Sequence, residues 1–262
     1  IIERTLWDRV HTIMREANDL GYECLLLKDC TGATDYGNYE AAVKMEVTGA
    51  GVGSVIRQSY RSFPYQPGKG LLVLATFVMD SSQSLNLTQR VGYYNDQNGV
   101  FFQRVDGTYS FVLRSYVTGS VSDARTVNQS SWNGDKLDGT GASGYTLDPS
   151  KAQILWMDFE WLGVGSVRTG FVINGQYIVC HTFDNANYQT TTYMTTAILP
   201  VRYEITNLSN VTTASMKQIC STVISEGGYE QYSPSHLARR TTKLSNIQLT
   251  FKPIVSIRLA ST

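Results

Sequence analysis

Two carboxylates lie two residues apart in an apolar segment, at Asp158 and Glu160. At this spacing, side chains point to the same face of a β-strand. Paired carboxylates on one face can act as general acid and nucleophile at a glycosidic bond. The alternative is a solvated strand face with Met157, Phe159 and Trp161 packed behind it. The sequence favours the solvated face because no third carboxylate can be assigned to a cleft. We therefore predict no catalytic residue and no enzyme.

A long polar loop over 128–150 holds the candidate ligand-binding residues, Trp132, Asp135, Asp138 and Tyr145. Long ordered loops in compact domains are often functional. Aromatic rings that are exposed can stack on sugars, although packing in a core or an interface is the commoner use of an aromatic ring. Further aromatic candidates are Tyr93, Tyr94, Tyr116 and Tyr188.

Metal and cofactor chemistry has little support in the sequence. Asp135 and Asp138 could offer oxygen ligands to Ca²⁺, but the stretch 135–139 lacks the acidic density of an EF-hand loop. The four cysteines match no zinc spacing, and Cys180 lies in an apolar strand pattern typical of a buried thiol. We therefore predict no metal site and no cofactor.

Composition narrows the function classes. The 262 residues include 22 basic and 22 acidic side chains, and this zero net charge argues against a nucleic-acid-binding protein. Zero net charge also leaves copies of the chain free to associate. The sequence opens with no signal-peptide pattern and has no apolar run of ~20 residues, so we expect no membrane partner.

The pattern of apolar residues changes near residue 48. Apolar residues at helical spacing over 6–20, a continuous apolar run over 22–27 and a second helical stretch over 36–45 predict a short α/β segment, residues 1–48. From residue 49 the period becomes two, which predicts an antiparallel β-sandwich or jelly roll over 49–262.

Two hairpin signals lie within this predicted sandwich. Asp106-Gly107 and Asn174-Gly175 are typical of type I′ turns. The first turn places Phe102 opposite Phe111, and the second places His181 opposite Arg168. Further strands are predicted over 54–60, 70–79, 201–205, 247–251 and 255–259.

Residues 5–45 resemble a fragment of the isochorismatase-like cysteine hydrolases. The similarity is carried by VHTIMREANDLGYEC at 10–24 and DCTGATD at 29–35. Arg9 occupies the position of the nucleophilic cysteine of that family, so the resemblance implies a shape and no activity.

Residues 49–230 resemble virion structural proteins of tailed phages of marine bacteria and related large DNA viruses. The similarity is carried by the segments 57–69, 132–139, 153–158, 199–205 and 224–229. The resemblance implies a particle component, such as a spike, fibre, decoration or capsid-associated protein, located in the virion.

The sequence thus leads to one main hypothesis and two alternatives. The main hypothesis is a non-enzymatic viral structural protein that assembles with copies of itself and with other virion proteins. The first alternative is a carbohydrate-binding module that recognises host surface glycans. The second is a glycan hydrolase that uses Asp158 and Glu160.

Overall fold

A computed structural model of the chain describes residues 22–23, 41–47, 52–80, 85–208 and 213–227. The chain divides into two compact units, Ile1–Gly228 and Tyr229–Thr262, and all described residues belong to the first. The described residues form thirteen β-strands and one short 3₁₀ turn, Gln129–Ser131. The strands are β1 (Tyr22–Glu23), β2 (Val43–Val47), β3 (Gly53–Ser59), β4 (Leu71–Val78), β5 (Leu87–Tyr94), β6 (Gly99–Val105), β7 (Thr108–Ser115), β8 (Ser122–Asn128), β9 (Gln153–Phe159), β10 (Val167–Ile173), β11 (Gln176–Phe183), β12 (Val201–Asn207) and β13 (Ala214–Ser225).

The strands form two antiparallel sheets packed as a sandwich, which confirms the predicted fold class. The seven-stranded sheet has the order β1-β3-β12-β5-β6-β7-β8, and the six-stranded sheet has the order β11-β10-β9-β4-β13-β2. As predicted, β4 is a central strand, and its burial alternates along its whole length. This alternation follows from the pleat, which sends every second side chain into the core.

Aromatic side chains from both sheets meet in the core. The ring of Phe102 on β6 lies 6.0 Å from that of Phe77 on β4 and 5.2 Å from that of Phe171 on β10. Phe111 faces Phe102 across β6 and β7, as predicted, with 5.5 Å between ring centroids. Cys180 is also fully buried, which confirms the predicted buried thiol, and burial raises the pKa of that thiol.

Both predicted hairpins are present. At the two turns the φ angles are +50° and +84° for Asp106 and Gly107, and +51° and +79° for Asn174 and Gly175. Positive φ at both central positions is the requirement of a type I′ turn, and Asn, Asp and Gly tolerate it best. The turn residues therefore fix the hairpins β6–β7 and β10–β11.

The register predicted for the second hairpin is wrong by one residue. A β-bulge between Thr169 and Gly170 shifts the pairing, so His181 lies opposite Thr169 and Arg168 lies opposite Thr182. His181 is consequently 7% exposed and not on the surface as predicted. A bulge adds one residue to one strand and moves every later side chain relative to its partner.

The predictions for the first 48 residues are only partly testable, because 1–21, 24–40 and 48 lie outside the described residues. The described strand β2 contradicts the end of the helix predicted over 36–45, since Val43–Val47 pairs with β13 in the six-stranded sheet. Of the apolar run over 22–27, which was predicted as a parallel strand, the described residues Tyr22 and Glu23 pair antiparallel with β3. The strands predicted over 247–251 and 255–259 lie outside the described residues.

Candidate functional site

One end of the sandwich is built from loops, and the longest of them joins β11 to β12. This β11–β12 loop, residues 184–200, has no regular secondary structure. Two buried asparagines, Asn185 and Asn98, each 1% exposed, hold it in place. The Asn185 side-chain amide donates to the Gly165 carbonyl at 2.6 Å, and the Asn185 backbone carbonyl accepts the backbone N–H groups of Tyr188 and Gln189.

Asn98 and Tyr93 fix the second half of the same loop. The Asn98 side chain accepts the backbone N–H of Thr195 at 3.0 Å and donates to the Thr195 hydroxyl at 2.7 Å. The Tyr93 hydroxyl donates to the Ala197 carbonyl at 2.8 Å and accepts the Leu199 N–H at 3.2 Å. Because the loop has no regular backbone hydrogen bonds of its own, these side chains supply hydrogen-bond partners for its backbone groups.

A pocket of about 210 Å³ lies between this loop and the end of the β7–β8 hairpin. Its polar wall presents hydroxyl and amide groups, and its apolar wall is formed by Leu113 and Val117. Arg125 and Tyr193 also line it. Five residues supply the uncharged polar groups: Ser115, Thr118, Ser122, Gln189 and Thr192.

Arg125 brings a positive charge to the pocket. Its guanidinium donates to the Asn185 side-chain oxygen and to the Asp184 backbone carbonyl, and it lies 5.3 Å from the centroid of the Phe183 ring. Desolvation by burial lowers the pKa of Arg125, against the opposing effects of Tyr193 and Asp184. An arginine stays protonated in proteins, so the pocket wall carries a partly desolvated cation.

Tyr193 lies beside this cation with a hydroxyl that has no hydrogen-bond partner. The residue is 2% exposed, and the hydroxyl oxygen is buried. Burial raises the pKa of Tyr193, and Tyr65 raises it further while Arg125 opposes both. Buried hydroxyls in folded proteins nearly always have a partner, so an unsatisfied one beside a pocket calls for an explanation.

Tyr188 is the aromatic residue with the most exposed ring in the β11–β12 loop. It is 74% exposed and directly precedes the lining residue Gln189. Of the other aromatic residues that the sequence suggested as sugar-stacking candidates, Tyr93 and Tyr94 are fully buried. Those two cannot present a ring to a ligand.

Trp132 must also be removed from the predicted ligand-binding residues. Its ring is 2% exposed and packs 4.7 Å from the ring of Phe111, centroid to centroid. Its indole N–H donates to the Val127 carbonyl at 3.1 Å. The prediction of a ligand contact is wrong for Trp132 because the side chain belongs to the core.

The two predicted aspartates hold together the β8–β9 loop, residues 129–152. The Asp135 carboxylate accepts the N–H of Leu137 at 2.9 Å and the N–H of Ser143 at 2.7 Å. Burial raises the pKa of Asp135, but these hydrogen bonds together outweigh it and leave the pKa lowered. Asp138 accepts both the N–H and the hydroxyl of Thr140.

Tyr145, the fourth predicted ligand-binding residue, contacts the turn of the β10–β11 hairpin. Its half-buried side chain accepts a hydrogen bond at 3.0 Å from the Asn174 amide. In the described structure Asp135, Asp138 and Tyr145 thus have contacts within the protein, and a ligand role for them stays a prediction.

Asp158 and Glu160 occupy the outer face at one end of β9. Asp158 is 4% exposed and pairs with Arg168, while its Oδ1 atom is buried without a partner. Glu160 is exposed. The Glu226 carboxylate lies over Gly70, where a Cβ would come within 2.3 Å of its Oε2 atom. The hydrolase alternative stays a prediction.

Sequence reasoning missed Arg125, Gln189, Thr192 and Tyr193. The available signal was the stretch 184–196, which is rich in Asn, Thr and Tyr and has neither helical nor strand periodicity. Within the described part of the chain, no group of three or more His, Cys, Asp or Glu side chains could hold a metal ion. No helix among the described residues is long and apolar enough to cross a membrane.

No family model matches the sequence. Among solved structures, the receptor-binding domain of botulinum neurotoxin D is similar over 78% of this chain and 44% of that chain, with 11% identity and a TM-score of 0.44. The carbohydrate recognition domain of Emp47p is similar over 74% and 87%, with 9% identity and a TM-score of 0.43. The endo-1,3-beta-glucanase from Streptomyces sioyaensis is similar over 79% and 97%, with 10% identity and a TM-score of 0.45.

This chain spans less than half the length of the toxin binding domains that it matches. Identities and TM-scores this low carry no argument about function. The class of the protein therefore follows from its own sheets, as an antiparallel β-sandwich, and its function has to be argued from the geometry of the loop end.

Proposed function

We propose that the protein is a glycan-binding β-sandwich and that the pocket between the β7–β8 hairpin and the β11–β12 loop is its binding site. The observation that carries this proposal is the composition of the pocket wall. Hydroxyl and amide groups line the pocket together with an apolar surface, which matches a sugar ring with its polar rim and apolar faces.

The size of the pocket agrees with a small ligand. Its volume of about 210 Å³ is below the roughly 300–1,000 Å³ of pockets that bury drug-sized ligands. One sugar ring at the end of a chain is therefore the unit that the pocket would hold. Tyr188 directly precedes the lining residue Gln189 and is exposed, so its ring could stack on a second sugar unit.

A glycan array probed with the purified chain tests the proposal, followed by calorimetric titration of the glycans that bind. Tyr188→Ala and Thr192→Val should each weaken binding by tenfold or more without changing the melting temperature. Tyr177→Ala is the matched control, because Tyr177 is 54% exposed on β11 and does not line the pocket.

Two results would refute the proposal. One is that the protein binds no glycan on the array and none in titrations at millimolar glycan concentration. The other is equal loss of binding in Tyr177→Ala and Tyr188→Ala, since a site on the outer face of β11 would then explain the data better.

The outer face of the six-stranded sheet favours a second candidate, assembly with other copies of this chain. The strand register places two uncharged rows side by side there. Four residues of these rows are apolar or aromatic and are half-buried or exposed to solvent: Ile154, Val179, Tyr177 and Leu74. These two rows carry no charge, and the chain has zero net charge, so two copies can approach at the rows without repulsion. A particle component of the kind suggested by the virion resemblance would need such a contact.

Sedimentation at micromolar concentration tests this candidate. Self-association should weaken in Tyr177→Lys, which puts a charge at the β11 end of one uncharged row, and persist in Tyr188→Lys. The candidate would be ruled out if the wild-type chain sediments as a monomer at micromolar concentration and at every concentration up to 100-fold above that.

A further inference from the structure

We infer that the pocket selects sugars that carry an anionic group and that Arg125 is the residue that binds this group. The inference rests on the proposed function and narrows it to one chemical class, the acidic sugars. It derives from the state of the Arg125 guanidinium compared with three other arginines of the seven-stranded sheet, Arg90, Arg114 and Arg202.

Three other arginines of this sheet have carboxylate partners. Arg114 forms two hydrogen bonds of 2.8 Å with Asp123, and Arg90 lies 3.2 Å from Glu204. Arg202 pairs with Asp96 and with Glu204. A partly buried guanidinium generally needs such a counter-ion, because removing a charge from water is costly.

Arg125 differs from these three arginines because it forms no salt bridge with a described residue, although the charge of the Asp184 carboxylate acts on it. Among the described residues no carboxylate lies within salt-bridge distance of it, and its two acceptors are neutral oxygens of Asn185 and Asp184. These contacts use two of the five N–H donors of a guanidinium. Arg125 lines the pocket, so its remaining donors and a positive charge without a salt-bridge partner can serve a ligand there.

The surroundings reinforce this preference. None of the described residues that line the pocket is acidic, so nothing in the wall repels an anion. The adjacent carboxylate of Asp123 is already bound by Arg114. The unsatisfied hydroxyl of Tyr193 lies close enough to Arg125 for their charges to interact, and it offers a further donor if the side chain shifts on binding.

A carboxylate and a sulfate ester present the same chemistry to Arg125, namely a planar or tripodal set of anionic oxygens that a guanidinium can bind through paired hydrogen bonds. The pocket therefore accommodates either source. A uronic acid carries the group as a carboxylate on the ring, whereas a sulfated sugar carries it on a hydroxyl.

Three probes separate these cases: methyl β-glucuronide, methyl β-glucoside 6-sulfate and the neutral methyl β-glucoside. Titration of each into the isotopically labelled full chain, followed by NMR, gives the dissociation constants. We expect at least one of the anionic probes to bind tenfold or more tightly than the neutral glucoside. Raising the salt concentration from 50 to 500 mM should weaken the binding of the anionic probe and leave the binding of the neutral probe unchanged, because salt screens only the charged contact.

Variants at Arg125 test whether this residue causes the preference for the anionic probe. Arg125→Gln should remove the preference for the anionic probe, and Arg125→Lys should retain part of it. Arg61→Gln, which removes an exposed charge outside the pocket lining, is the matched control and should bind as the wild type does. Melting temperatures identify any variant that loses its fold, and the salt series on the wild type decides the question without a variant.

The outcomes distinguish the two levels of the proposal. Equal binding of the neutral and anionic probes overturns this inference and leaves glycan binding intact. Binding of an anionic probe that survives in Arg125→Gln also overturns it. If neither these probes nor any glycan on the array binds, the proposed function itself fails.

Discussion

The β8–β9 loop and the β11–β12 loop differ in how many of the polar groups around them have hydrogen-bond or salt-bridge partners. The β8–β9 loop closes on itself and on the edge of the six-stranded sheet. Its Gly134 and Asp135 N–H groups donate to the Cys180 and Val179 carbonyls of β11, each at 2.9 Å. A Cβ at Gly134 would lie 2.4 Å from the Val179 oxygen, so only glycine allows this approach. The loop thus covers an exposed sheet edge, which proteins commonly need to protect.

The β11–β12 loop is also pinned, but it leaves groups without partners. Asn98 and Asn185 hold its backbone, while among the described residues the Tyr193 hydroxyl has no hydrogen-bond partner and Arg125 beside it has no salt bridge. Loop length and acidic residues drew attention to the β8–β9 loop in the sequence. The comparison teaches that unsatisfied polar groups beside a pocket, and not loop length, distinguish a candidate binding site from a structural loop.

The largest expected effect concerns Trp132 in the β8–β9 loop. Trp132→Ala should lower the free energy of unfolding by about 3–5 kcal/mol, because it removes a buried indole and leaves a cavity against Phe111. Tyr188→Ala in the other loop should change it by less than about 0.5 kcal/mol, because that ring is exposed. Urea denaturation of both variants measures the difference. A similar loss in both would contradict the structural role assigned to the β8–β9 loop.

A matched pair of hydroxyl deletions gives the next largest effect. Tyr93→Phe should cost about 1–3 kcal/mol, because it strips buried backbone groups at Ala197 and Leu199 of their partner. Tyr193→Phe removes a hydroxyl that has no partner, so stability should stay the same or rise. Denaturation midpoints of the two variants provide the test.

The same Tyr193→Phe variant should weaken glycan binding if the hydroxyl serves a ligand. A variant that is as stable as the wild type and binds less tightly would identify a residue kept for binding. Destabilisation by Tyr193→Phe equal to that of Tyr93→Phe would instead show that the hydroxyl has a structural partner in solution.

The smallest effect is a pH dependence at the junction of the two loops. Desolvation, followed by the charge of Arg125, lowers the pKa of His181 below its usual value of about 6.5. Its Nδ1 atom accepts the N–H of Asn133 at 3.3 Å, which requires the neutral ring. The unfolded chain therefore binds a proton more readily, and this contribution to stability is present above about pH 6.5 and declines as the pH falls.

Melting temperatures between pH 7.5 and 5.5 measure this contribution. We expect the wild type to lose stability over that range and His181→Gln to show a shallower slope. Parallel slopes for the two proteins would show that the imidazole does not titrate differently in the folded and unfolded chain.

Much of the fold could be predicted from the sequence, because it depends on local signals. A long apolar run predicted β4, and alternating apolar residues predicted β12. The Asp-Gly and Asn-Gly dipeptides fixed both hairpin turns through their tolerance of positive φ. The buried state of Cys180 followed from the apolar pattern around it. Local backbone preferences and strand periodicity are properties of short segments, so they can be seen in the sequence itself.

The candidate site could not be predicted in this way, because it is made by residues distant in sequence. Arg125 lies on β8, whereas Tyr193 lies in the β11–β12 loop. Only the packing of that loop brings the two residues together. A single β-bulge likewise turned His181 into the interior. The sequence determined where the strands and turns form, whereas the tertiary structure alone decided which polar groups found a partner and which remained free to bind one.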